Sequence, residues 1–296
     1  MKLKRWIRAA SLCLCLLAAG ACLPAAGAAE KPFTVYLSPS AQPWNPYWDG
    51  SGSEEFWMRL VAGCMKFELE QQGVACTVAA KRPEGTTEAA NFLTARAQEA
   101  EALGADLYVA LHSNASPSGT SRKGTEIYIP SWDGESRRFG ELVRKHFCYP
   151  DKSLVTFQEN DELLEIRKPA MPHVLVETAY HDRADDGAWI EENIQEIAHS
   201  LACAVVEYAG GAPAADWKRP DPIPMNAGSL TLAPGGTAIL TAAAPAGAVW
   251  SSGHGEIVSV SSCGVVTARQ PGVSLVAVCA EGRLGFCRVE VAGEPS

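Results

Sequence analysis

The sequence predicts an α/β domain, with a mostly parallel sheet and helices on both faces, followed by a small all-β sandwich. Three observations carry this. Short apolar runs alternate with longer amphipathic stretches from residue 33 to about 209. A stretch rich in Pro, Gly and Ala (GGAPAADWKRPDPIPM) then interrupts both periods, and seven short strand-like runs follow it. The 296 residues are 47 % apolar and 20 % charged, which suits one or two globular domains and excludes a disordered or fibrous chain.

Taken in order, FTVYLS reads as a strand, and EEFWMRLVAGCMKFELEQQ places Trp57, Leu60, Val61, Cys64 and Phe67 at helical spacing. VACTVAA is a second strand, TEAANFLTARAQEAEALG a helix ending at Gly104, and DLYVALHS a third strand. GTEIYIP, a helix over 135–147, the apolar strand HVLVET and a final helix from about Asp185 to Tyr208 complete the first domain. Strands that alternate with helices require crossovers, hence a largely parallel sheet. Beyond the linker, SLTLA, TAILTAAA, AVWSS, IVSVSS, GVVTA, SLVAVCA and FCRVEV are short strands separated by Gly or Pro, the pattern of a sandwich. The expected boundaries are a signal peptide over 1–28, the α/β domain over 30–210, the linker over 211–225 and the sandwich over 226–292.

The N-terminus, MKLKRWIR followed by AASLCLCLLAAGACL and PAAGAAE, has the order of a secretory signal, with cleavage expected after Ala28 or Ala29. Lipid attachment at Cys22 is the less favoured alternative, because AGA before it lacks a branched residue. No later segment is long and apolar enough to span a bilayer, so the expected location is extracytoplasmic, secreted or in the cell wall. The net charge is −9, and Lys2, Lys4, Arg5 and Arg8 all lie in that leader, so the body is more acidic still. Nucleic acid is excluded as a partner on this ground, since phosphate binding needs clustered Lys and Arg. No obligate protein partner is evident.

Ten cysteines are present, three of them in the leader, and no CxxC pair makes a zinc–thiolate cage. Cys279 and Cys287 flank a hairpin turn and are the expected disulfide.

Ligands of open α/β sheets bind beyond the carboxyl ends of the strands. There the sequence delivers His112 at the end of DLYVALHS, Glu177 at the end of HVLVE, and Glu55 in the first turn of the helix after strand one. An acid directly after VLV is costly to bury without a partner. A His and a carboxylate can hold a cation such as zinc, and a second carboxylate can take a proton from water. HExxH, GxSxG, P-loop and GxGxxG signatures are absent.

These residues resemble the zinc-dependent N-acetylmuramoyl-L-alanine amidases, which cut peptidoglycan between muramic acid and the stem peptide. The resemblance spans about 33–209 and rests on Glu55 with Leu60, on TARAQEAEALGADLYVALHSNAS and on KPAMPHVLVETAYHD. It implies Zn2+ as cofactor, Glu55 and His112 as zinc ligands, Glu177 as general base and peptidoglycan as partner. The family opens with Asp-Pro-Gly-His-Gly, whereas this chain reads Ser38-Pro39-Ser40-Ala41-Gln42, with Ala41 where the first ligand stands. Gln42 and His181 are the candidates to complete the set. Retention of the fold without the metal would instead give a peptidoglycan-binding or regulatory protein. Trp44, Tyr47 and Trp48 either stack on sugars or pin their loop; His146 reads as a surface residue and His173 as packed. The C-terminal pattern, from LTLAPGGTAILTAAA through VWSSGHGEIVSVSSCGVVTARQPGVSLVAV, resembles the bacterial immunoglobulin-like domains of group 2, which implies a spacer or wall-binding module.

Overall fold

In the first domain the central strands alternate their side chains between two cores, and that alternation decides where the site lies. The computed structural model describes residues 31–82, 89–116 and 122–293. The expected signal peptide and Cys22 therefore lie outside the described residues. Six strands, β1 (Thr34–Pro39), β2 (Ala75–Val78), β3 (Leu107–Asn114), β4 (Thr125–Ile129), β5 (Val155–Glu159) and β6 (His173–Tyr180), form one sheet in the order β2-β1-β3-β6-β4-β5. All neighbours are parallel except β4 and β6.

Helices α1 (Glu54–Gln71), α2 (Ala89–Ala102), α3 (Gly134–His146), α4 (Leu164–Arg167), α5 (Ala184–Glu192) and α6 (Ile194–Tyr208) join the strands. Val35, Leu37, Val109, Leu111, Val174 and Val176 pack into a large core with α1, α3 and α6. Tyr36, Tyr108, Ala110 and Leu175 point the other way, into a smaller core with Ala100 of α2 and Ile166 of α4. The single helix expected from Asp185 to Tyr208 is two, because the chain turns at Asn193, whose Nδ2 donates to Trp189 O at 2.7 Å. Strand β5 and helix α4 were not expected; α4 is one turn long, too short to show a period.

The C-terminal region packs two antiparallel-rich layers. Strands β7 (Ser229–Leu232), β8 (Thr237–Ile239), β9 (Val249–Ser252), β10 (Val258–Val260), β11 (Val265–Ala268), β12 (Gly272–Ala280) and β13 (Arg283–Val291) form sheets ordered β10-β11-β8 and β7-β13-β12-β9. Val258, Val266 and Ala268 of one sheet meet Val276, Cys287 and Val289 of the other. Glu281 and Gly282, at φ 49° and 69°, make the β12–β13 turn with both central residues left-handed, as a two-residue hairpin requires. That turn sets Cys279 opposite Leu284 and Cys287 opposite Val276, so the expected Cys279–Cys287 pair does not face itself. Cys279 instead interacts with Cys64 of α1.

The described residues from Pro32 onward form one compact unit, and the β region is seated on α1 and the loop before it. Leu275 N donates to Ser51 O at 2.8 Å, Trp57 and Phe286 have ring centroids 5.8 Å apart, and Ala277 and Leu284 join the large α/β core. The connecting segment is held too: Trp217 stacks on His199 at 4.2 Å, and Ile223 N donates to Leu284 O at 2.7 Å.

Candidate active site

Three adjacent strands end at one rim, and parity decides what they deliver there. Ser38 shares a face with Tyr36, His112 with Tyr108 and Glu177 with Leu175, so all three point to the α2 and α4 side. The ladder sets His112 directly beside Glu177. A cleft of about 400 Å³ opens over them, walled by Trp44, Phe92 and Leu93 and by α4 with the turn before it.

His112 is the centre of the arrangement. Its Nδ1 lies 2.9 Å from Glu54 Oε1 and its Nε2 2.9 Å from Glu165 Oε2. With a carboxylate on each nitrogen, both ring N–H groups donate and the imidazole is charged. Burial alone would lower its pKa, but the hydrogen bonds and charges of Glu165 and Glu54 override this and raise it well above the ordinary value. The same contact holds both carboxyls low against the opposing effect of their burial. Glu165 is further fixed by Ser38 Oγ at 2.5 Å and Tyr108 Oη at 2.6 Å, and buried Arg96 donates to Ser38 Oγ at 2.9 Å and Pro39 O at 2.7 Å. Glu54 also accepts from Asn45 Nδ2 at 2.9 Å.

Glu177 differs from both. Its Oε2 is buried and finds no hydrogen-bond partner. Burial pushes its pKa up to about 8, with the charges of Glu54, Glu126 and Glu165 adding to the rise and His112 opposing it. Glu126, opposite it on β4, is engaged by Tyr128 Oη at 2.5 Å and Tyr180 Oη at 2.9 Å.

The structure sets Glu54, the neighbour of the expected Glu55, beside His112. The carboxylate at His112 belongs to Glu54, whereas Glu55 turns away to accept from Arg59 Nε at 2.9 Å. One helical step rotates a side chain by about 100°, so of two adjacent glutamates only one can face the cleft. Glu165 was missed because nothing in its local sequence marks a functional acid. Only the fold brings the one-turn helix α4 over β3.

The donors for zinc fall short. Glu54 and His112 present an adjacent pair, but Ala41 supplies no side-chain ligand, and catalytic zinc takes three protein ligands. Gln42 Nε2 lies 3.4 Å from Glu54 Oε1, and its Oε1 accepts from Asn45. His181 Nδ1 is 2.8 Å from Ser113 O, with its ring stacked on Tyr47 at 5.2 Å, the position of a loop histidine. Among the described residues no group of three or more His, Cys, Asp or Glu is placed to hold a metal ion. The residues do not fit a catalytic zinc.

Tyr47 is buried, with its hydroxyl 3.0 Å from Ser113 Oγ, and so pins its loop; Trp44 and Trp48 are about half exposed, at 53 % and 45 %. His146 pairs with Glu207 at 2.5 Å on the outer side of α3, and His173 is packed at 3 % exposure.

Residues 48–207 match the family described as N-acetylmuramoyl-L-alanine amidase. The curated proteins hold no match to the chain. Among solved structures, the catalytic domain of the amidase CwlV from Bacillus (Paenibacillus) polymyxa var. colistinus superposes with a TM-score of 0.52 at 22 % identity, covering 60 % of this chain and 98 % of that one. The N-acetylmuramoyl-L-alanine amidase from Clostridium difficile 630 gives 0.53 at 18 %, covering 60 % and 97 %. AmiC2 of Nostoc punctiforme gives 0.51 at 19 %, again over 60 % and 97 %. At these identities the likeness is one of fold.

Proposed function

Because the chain belongs to the N-acetylmuramoyl-L-alanine amidase family, we propose that it is an exported peptidoglycan hydrolase that cleaves the amide between N-acetylmuramic acid and the L-alanine of the stem peptide. One observation supports this above the others: Glu177 follows the apolar run of β6 with a buried, unpartnered carboxyl oxygen at the floor of an open cleft. A buried polar atom without a partner is costly, and substrate or its attacking water would satisfy it. In this reading Glu177 takes the proton of the attacking water, and its raised pKa makes it a stronger base once ionised. The Glu54–His112–Glu165 array fixes the floor against which the scissile amide lies. Trp44 and Phe92 offer apolar walls for the sugar or the peptide.

The two-donor set favours a second reading, in which the cleft recognises peptidoglycan without cutting it. Mass spectrometry of peptidoglycan fragments incubated with the mature protein, with added zinc and with chelator, separates the two. Stems released with a free N-terminal alanine support the hydrolase, and dependence on zinc would restore the expected cofactor. Intact fragments with folded protein under both conditions overturn the hydrolase and favour the binding reading.

A further inference from the structure

A second cavity lies beside the cleft and is lined by both parts of the chain. It holds about 600 Å³ between the loop preceding α1 and residues 81–82 on one side, and β9, the 253–260 segment and Arg269 on the other. Arg82 lines this groove and the cleft alike, and its guanidinium stacks over Trp44 at 4.4 Å, so the two cavities meet at that pair.

On a chain of net charge −9 the groove gathers Lys81, Arg82 and Arg269 around one opening. Of its two acids, Glu55 is paired with Arg59 at 2.9 Å, while Glu256 is exposed beside His254 at 3.4 Å. Trp250 supplies an aromatic wall and Ser251 a hydroxyl, whereas Ser252 Oγ donates to Val258 O at 2.6 Å and Ser259 Oγ accepts from Arg269 Nε at 3.1 Å. Aromatic faces, hydroxyls and cations together suit an amino-sugar polymer whose peptide branches carry free carboxylates.

We propose that this groove binds the glycan–peptide strand where it continues past the cleft, so that the β region forms part of the substrate surface rather than a spacer. The inference rests on the reading that the cleft takes peptidoglycan, whether or not it cuts it. Continuity at Arg82 argues for this occupant: a polymer seated in a 400 Å³ cleft must leave it, and the adjoining basic groove offers the exit.

The test compares calorimetric binding of one disaccharide–peptide unit with that of a soluble strand of several such units. It uses the full mature chain and the variants Arg269→Glu and Lys81→Glu, each with circular dichroism to check folding. Both residues are exposed and come from opposite walls, so a turn disturbed in one variant would not recur in the other. Both variants should bind the strand about tenfold more weakly than wild type, about 1.4 kcal/mol, while single-unit affinity stays unchanged. Unchanged strand affinity in both variants, or a wild type that binds unit and strand equally, overturns the groove and leaves the cleft reading standing. A wild type that binds neither overturns the cleft reading, and the groove falls with it.

Discussion

At the scale of single residues, the two neighbouring glutamates at the start of α1 have separate fates, and exchange experiments should separate them. Glu54→Gln removes the charge that holds His112 Nδ1 and is expected to lower hydrolysis about a hundredfold, whereas Glu55→Gln, whose partner is Arg59, should leave it within about threefold. Steady-state release of stem peptide checks both, and a larger loss in the Glu55 variant would reverse the assignment. Glu177 makes a pH prediction. As a base with a pKa of about 8 it is available only when ionised, so hydrolysis should rise through pH 8 and then level off. Its folded pKa lies above the ordinary carboxyl value, so the native state binds more protons between the two, and stability falls as pH rises from about 4.5 to about 8. Glu177→Gln should abolish hydrolysis and flatten that slope, as urea denaturation at pH 5 and pH 8 would show. Stability that rises over that window would contradict the buried, unpartnered state.

At the scale of elements, α4 contributes far more than its four residues suggest. It sets Glu165 between His112, Ser38 and Tyr108, so Glu165→Leu leaves His112 Nε2 and the hydroxyl protons of Ser38 and Tyr108 without their acceptor. The expected cost is about 3 kcal/mol, the scale of removing one partner of a buried pair. Denaturant unfolding of the variant measures it, and a loss below about 1 kcal/mol would show that the array does not act as a unit. The strands themselves were legible, because β1, β3 and β6 each carry an apolar run whose parity fixes which residues face α4. What parity could not say was which helix would cover that face. The split between α5 and α6 was hidden for a similar reason: both halves present apolar residues to the same core, so the period hardly breaks at Asn193.

At the scale of the whole molecule, the β region and the α/β region share a core and a backbone hydrogen bond. The contact with Ser51 lies three residues before Glu54, so the docked sheet supports the loop that aims the site's first carboxylate. Gly253 marks the closest approach: a Cβ there would sit 2.5 Å from Ser51 O and 2.9 Å from Gly52 Cα, both backbone atoms that cannot swing aside. Gly253→Ala should therefore cost about 1–3 kcal/mol in thermal or chemical unfolding. It should also reduce hydrolysis through Glu54, and an unchanged melting temperature would show that the two regions are not coupled through this contact.

The sequence by itself determined the element types, the parity of the strands and the rim at which His112 and Glu177 emerge, because periodicity is a local property of the chain. The resemblance to a family was legible for the same reason, its motifs being contiguous. The tertiary structure alone decided that Glu54 rather than Glu55 meets His112, that Glu165 closes the other side of the ring, and that the β region walls a groove beside the cleft. Each of these depends on residues 53 or more positions apart in the chain being packed within a few ångströms, and no local pattern encodes that distance.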